Sequence, residues 1–271
     1  MLKTAFALAV IVIVVSVLVR LFESRFAFFP VAGETVTPLE YGVAHHTLSI
    51  ATDDGERLSG WALPNATPRA QVLYFHGNGG NLSIWAPILA ATARHGYSVV
   101  AFDYRGYGNS SGRPSERGLY HDVDAIVERF WSEARAETPI VYWGRSLGTV
   151  MAAYAARRRA PHGLILESGF PDARSLASTS PLLAFLALFS TLRFPGAAFL
   201  EDLTAPVLVM HGDHDHVIPI DQGRRLFAKI PGRKQFITIP GGDHNDVAPP
   251  DPPAYWRDVG EFVAGLSKRE S

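Results

Sequence analysis

From Pro30 onward the chain alternates short apolar runs with longer stretches of helical periodicity, and few folds accommodate that alternation. Residues 72–75, 98–102, 140–143, 164–166, 207–210 and 236–239 are apolar at nearly every position, as strands covered on both faces must be. Residues 82–95, 116–134, 147–158 and 221–228 lie between them with helical character, Asn81 standing as N-cap of the first. In 116–134, Leu119, Val123, Ile126, Val127 and Phe130 share one helical face. Two earlier strands, 46–51 and 58–63, are joined by a turn through Asp54-Gly55, and 255–266 reads as an amphipathic helix. Strands separated by helices imply βαβ units. The expected fold class is α/β, with a mostly parallel eight-stranded sheet and helices on both faces. In such sheets ligands bind beyond the carboxyl ends of the strands, so chemistry is sought there.

Gly144-Arg145-Ser146-Leu147-Gly148 matches G-x-S-x-G, and so does Gly108-Asn109-Ser110-Ser111-Gly112. The motif works where the serine sits on a sharp turn between a strand and a helix, which lifts its hydroxyl above the sheet. Ser146 has an apolar strand before it and a helical stretch after it; Ser110 lies among loop residues. Ser146 is therefore the expected nucleophile and Ser110 a turn residue.

A serine hydroxyl needs a positioned base, most often histidine. His244, in Gly241-Gly242-Asp243-His244-Asn245-Asp246, follows the last expected strand, where a loop returns to the sheet edge that carries Ser146. The acid that orients the base should follow the preceding strand, where Asp213 and Asp215 both lie; Asp215 is deeper in the loop, and Glu167 ends an earlier strand. The oxyanion hole should combine the N–H of Leu147, just after the nucleophile, with one from the glycine-rich loop after the third strand, assigned to Asn78 in His76-Gly77-Asn78-Gly79-Gly80.

With these residues in place, the chain resembles the Bem46-like branch of membrane-anchored α/β hydrolases. The resemblance runs from about Phe29 to Phe262 and rests on Phe29-Pro30, Thr37-Pro38, Asp54-Gly55, the 76–81 loop, the run 103–108, Gly144 to Gly148, His211-Gly212 with Asp215, and His244-Asn245-Asp246. It implies the α/β-hydrolase fold, and its pattern selects Asp215 as the acid. It says little about substrate, since such relatives include thioesterases and carboxylesterases. Gly79 where alanine is frequent and Thr149 where glycine is frequent are departures from the pattern.

Residues 1–29 differ in kind: no charge occurs from Thr4 to Val19. A run of about 18 apolar residues is at the short end for a membrane span. No small-residue cleavage site follows it; Phe26, Phe28 and Phe29 do, as interfacial anchors would. A single-pass N-terminal membrane anchor over 1–29 is expected, followed by a hydrolase domain over 30–271; a cleaved signal and a helix packed on the domain are the alternatives. Between the strands ending at Glu167 and starting at Val207, about 171–205 is expected to form a short lid, its apolar stretch 181–192 covering an acyl pocket, touching membrane or packing in the core. The near-zero net charge of -1 gives no basic surface for nucleic acid. With no cysteine, thiolate catalysis and disulfides are excluded, and no cofactor or metal is expected; the loop spacing of His211, His214 and His216 matches no zinc pattern.

The resulting expectation is a serine hydrolase acting on a small apolar acyl ester or thioester. An acyltransferase or peptidase on the same three residues, and a membrane-tethered binding protein without activity, are the competing classes.

Overall fold

The computed structural model describes residues 2–246 and 252–266. Its main sheet has eight strands: β1 (His46–Ala51), β2 (Arg57–Leu63), β3 (Gln71–Phe75), β4 (Ser98–Phe102), β5 (Ile140–Arg145), β6 (Gly163–Glu167), β7 (Val207–Gly212) and β8 (Lys234–Ile239). The spatial order is β8-β7-β6-β5-β3-β4-β2-β1. β2 pairs antiparallel with both β1 and β4, and every other neighbour pairs parallel. The sheet is thus mostly parallel with one mixed edge, as the alternating pattern required. The order reverses beside β3, and β5 occupies the middle of the sheet, with both faces and both edges covered.

Burial explains why these runs are so apolar. All residues of β3, β5, β6 and β7 are buried, whereas β8, at the edge, alternates between half-buried and exposed positions. One face of the sheet packs on α3 (Glu116–Glu133), α4 (Leu147–Arg158) and α7 (Ile220–Lys229), the other on α2 (Leu82–Arg94) and α8 (Pro252–Ala264). Trp61, Trp143, Tyr74 and Tyr97 anchor the second face, and truncation of such a ring to alanine typically costs about 3–5 kcal/mol. The helix starts follow capping chemistry: Asn81 accepts the N–H of Ser83, and Ser115 that of Gly118. The three arginines 157–159 serve the fold, with Arg158 paired to Asp124 and Arg157 and Arg159 lying over Phe199 and Trp131.

The stretch between Glu167 and Val207 folds as α5 (Ala173–Ala177), α6 (Pro181–Ala187) and a 3₁₀ turn at Ala198–Leu200. α6 is shorter than its apolar run, and none of its residues is buried. Leu182, Leu183, Phe185 and Leu188 are exposed, which removes core packing as the reason for their apolarity.

The N-terminal stretch is one helix, α1 (Leu2–Ala27). Among the described residues no helix is long and apolar enough to cross a membrane, so the expected transmembrane anchor is not supported. Arg20, Glu23 and Arg25 lie in the last turns of α1. Glu23 also bonds the segment that follows α6, accepting from the Ser190 hydroxyl at 2.7 Å and the Thr191 N–H at 2.9 Å. The helix nevertheless exposes Phe6, Ile11, Ile13, Val17 and Leu21.

Candidate active site

β5 ends in a sharp turn. Ser146 has φ 55° and ψ -121° and caps α4 directly, so the strand becomes a helix within one residue. A positive φ at a non-glycine residue costs roughly 1–3 kcal/mol. The turn is held by Ser146 N–H donating to the Glu167 carbonyl at 2.9 Å and by the Thr149 N–H and hydroxyl donating to the Ser146 carbonyl. The flanking glycines are required by space: a Cβ on Gly144 would lie 2.1 Å from the Gly148 carbonyl oxygen, and one on Gly148 would lie 1.9 Å from that of Phe75. Both clashes are with backbone, which cannot swing aside. Gly148→Ala is therefore expected to yield misfolded or insoluble protein, as read by soluble yield and circular dichroism; near-wild-type recovery would contradict this packing.

The structure brings three of the expected residues into one chain of hydrogen bonds. Ser146 Oγ lies 3.0 Å from His244 Nε2, and His244 Nδ1 lies 2.8 Å from Asp215 Oδ2. Asp215 sits in the loop after β7, its Oδ1 accepting the N–H groups of Val217 (3.0 Å) and Ile218 (2.7 Å). Burial pushes this carboxyl up, but the hydrogen bonds from His211 and His244 outweigh it and hold the group well below the usual carboxylate range. An ionised Asp215 can only accept, so His244 Nδ1 carries the proton and Nε2 presents its lone pair to the serine hydroxyl. The two other candidate acids are committed elsewhere. Asp213 accepts the N–H of Gly241, and Glu167 accepts from the Tyr255 hydroxyl at 2.9 Å. Ser110, the decoy, bridges the Asp103 carbonyl and the Ser59 N–H and holds a loop.

The loop 76–80 runs past this site. A Cβ on Gly77 would lie 3.4 Å from Ser146 Cβ, so the loop and Ser146 are in contact. Leu147 begins α4, where backbone N–H groups have no intrahelical partner and the helix dipole favours negative charge. Asn78 follows Gly77 on the same loop. The arrangement can present donors to an oxyanion formed at Ser146.

Two residues of the site were not singled out as functional from the sequence. Arg145, the first variable position of the serine motif, donates from Nη2 to the carbonyls of His244 (3.0 Å) and Asp246 (2.6 Å) and lies 3.7 Å from Glu167. It ties the histidine loop to the strand that bears the serine. His211 places Nε2 2.8 Å from the Ile218 carbonyl and 3.4 Å from Asp215 Oδ2, behind the acid. Its pairing with Gly212 at the end of β7 was the available signal. Asp243, adjacent to His244, turns its Oδ1 to the N–H groups of His216 and His244 and to the His216 ring rather than to the His244 ring.

A buried pair supports the loop from below. His76 Nε2 lies 3.6 Å from Asp103 Oδ1. Burial lowers His76 to about 4, so the contact is no ion pair at neutral pH; burial likewise pushes Asp103 up to about 7. A carboxyl raised in the folded state binds its proton more tightly there than in the unfolded chain, so it stabilises at low pH and that stability is lost as pH rises from about 4 through about 7. His76, lowered from 6.5 to about 4, gains stability over much of the same window, so the expected signal is a difference: as pH rises, the urea midpoint of the wild type falls relative to that of Asp103→Asn, which keeps an acceptor for the Leu82 N–H. Equal slopes would contradict the assignment. Among the described residues, Asp53, Asp54 and His121 have spacing that could hold a metal ion, but Asp54 is already occupied by both Nη atoms of Arg105.

A family profile described as the alpha/beta hydrolase fold matches residues 71–188. An uncharacterized protein of Mycobacterium tuberculosis is 34% identical over 83% of this chain and 81% of its own length. An uncharacterized membrane protein of Saccharomyces cerevisiae is 31% identical over 84% and 82%. The lysophosphatidylserine lipase ABHD12 of Macaca fascicularis is 33% identical over 63% of this chain and 48% of that protein. Among solved structures, the Pyrococcus furiosus esterase Pf2001 superposes with a TM-score of 0.71 at 20% identity, covering 88% of this chain and 96% of the esterase. At that identity the likeness concerns the fold alone.

Proposed function

The chain belongs to the α/β-hydrolase family, and from that premise we propose that it is a serine hydrolase cleaving an ester or thioester through an acyl-enzyme on Ser146. The observation that carries this reading is the pair of contacts at His244: 3.0 Å to the serine hydroxyl on one nitrogen and 2.8 Å to Asp215 on the other. Ser146 Oγ attacks the acyl carbonyl while His244 Nε2 takes its proton. The tetrahedral oxyanion is met by the N–H groups of Leu147 and Asn78. His244 returns the proton to the departing alcohol or thiol, and water then repeats the sequence on the acyl-enzyme, with Asp215 stabilising the imidazolium throughout.

An ester substrate is favoured by the lysophosphatidylserine lipase among the relatives. An apolar acyl group fits the exposed Leu182, Leu183, Phe185 and Leu188 of the short lid. The exposed apolar side chains of α1, together with the membrane protein among the relatives, support association of this helix with a membrane. The protein is then expected to sediment with membranes after a high-salt wash, and full release by salt would count against it. The central test is labelling of the full chain with a fluorophosphonate, with the adduct mapped by peptide mass spectrometry. A single adduct on Ser146 is expected; an unlabelled protein, or an adduct elsewhere, would overturn the mechanism.

A further inference from the structure

The side chain of Asn78 faces away from its assigned task. Its backbone N–H is the oxyanion donor in the reading above, on which this inference rests, but its carboxamide Nδ2 donates to the carbonyl of Ala27 at 2.6 Å. Ala27 is the last residue of α1, where helix carbonyls have no intrahelical donors. The Tyr107 hydroxyl then donates to Asn78 Oδ1 at 2.9 Å and lies 3.0 Å from the Asn78 carbonyl, so the residue is gripped at both ends.

The neighbouring backbone repeats the attachment. Phe29–Pro30 pairs in parallel with Gly79–Gly80, the Val31 N–H donates to the Gly80 carbonyl at 2.9 Å, and Asn81 Nδ2 donates to the carbonyls of Val31 and Gly33. Phe28 plugs the junction, 3% exposed and edge-on to Phe194. A glycine-rich loop has little rigidity of its own. Here its fixed geometry comes from a segment about fifty positions earlier in the chain.

We propose that the Asn78 carboxamide straps the oxyanion loop to the C-terminal end of α1, making the N-terminal helix a positioning element of the active site. The same end of the helix holds the lid segment through Glu23 and Ser190. Displacement of α1 would therefore be felt at the oxyanion donor and at the lid together.

Asn78→Asp in the full chain tests this. It keeps the backbone N–H and an acceptor for Tyr107, and it loses the donor to Ala27. Outright removal of an oxyanion donor lowers kcat about 10²–10³-fold. A displaced donor is expected to lower kcat on a p-nitrophenyl ester by about tenfold or more, with KM within about twofold, and to weaken a trifluoromethyl ketone, which forms the tetrahedral oxyanion, by the same factor. Tyr107→Phe, which removes the second grip without adding charge, should show the same matched losses. Amide hydrogen exchange across 76–81 reads the strap without turnover and should quicken in both variants. Unchanged kcat and unchanged loop exchange in Asn78→Asp would overturn the strap, as would a fall in kcat with no matching loss of ketone affinity. A wild-type protein that takes up no fluorophosphonate, yet whose loop exchange depends on Asn78, would sink the catalytic reading and leave the strap standing.

Discussion

Ser146→Ala is expected to lower kcat on an activated ester by about 10⁵–10⁶-fold while leaving KM and the fold nearly unchanged. The magnitude follows from the proposed mechanism, in which the Ser146 hydroxyl forms the acyl-enzyme; what survives is then the background that substrate binding and oxyanion donors supply on their own. The fold should survive because the Ser146 backbone bonds, from its N–H to Glu167 and from Thr149 to its carbonyl, do not involve the hydroxyl. Alanine also bears the φ of 55° no worse than serine does. Steady-state kinetics on purified protein, with circular dichroism as the fold check, decide the matter. A variant retaining more than about one per cent of wild-type turnover would mean that another group carries the reaction.

The second large effect is expected for Asp215→Asn, a loss of about 10⁴-fold in kcat. The amide is nearly isosteric, and its oxygen can still accept the N–H groups of Val217 and Ile218, so the loop should hold. The amide nitrogen, however, turns a donor toward His244 Nδ1, which must then accept. The proton moves to Nε2, and the face 3.0 Å from Ser146 Oγ no longer offers a lone pair. The wild-type carboxyl lies well below the usual range because His211 and His244 together outweigh its burial. Its stabilising contribution is accordingly present above the ordinary carboxylate value and lost only as pH falls through the depressed one. Activity lost between pH 5 and 7 must then come from a group other than Asp215. A decrease of less than tenfold at pH 7.5 would remove Asp215 from the mechanism.

The contrast between the two serine motifs shows what local sequence can decide. Ser110 and Ser146 satisfy the same pattern, and only Ser146 lies between a continuous apolar run of strand length and one that repeats as a helix. That context is written within ten residues, so it is legible in one dimension. The glycine requirement is legible as well, although the reason for it, the Phe75 carbonyl 1.9 Å from a Cβ on Gly148, is a contact made across 73 positions. α6 shows the opposite case. Its apolar run is plain in the sequence, but composition alone does not separate a buried helix from an exposed one, and the structure leaves α6 without a buried residue.

The sequence by itself determined the α/β class, the eight strand segments and the residues from which an active site could be drawn, because hydrophobic period and turn chemistry act between near neighbours. Only the tertiary structure decided that Arg145 holds the histidine loop, that His211 stands behind Asp215, and that the end of α1 bonds the 76–80 loop. Those meetings depend on strand order and on how crossovers stack the sheet, and they are made by groups dozens of residues apart whose side chains carry no local trace of the partner they will find.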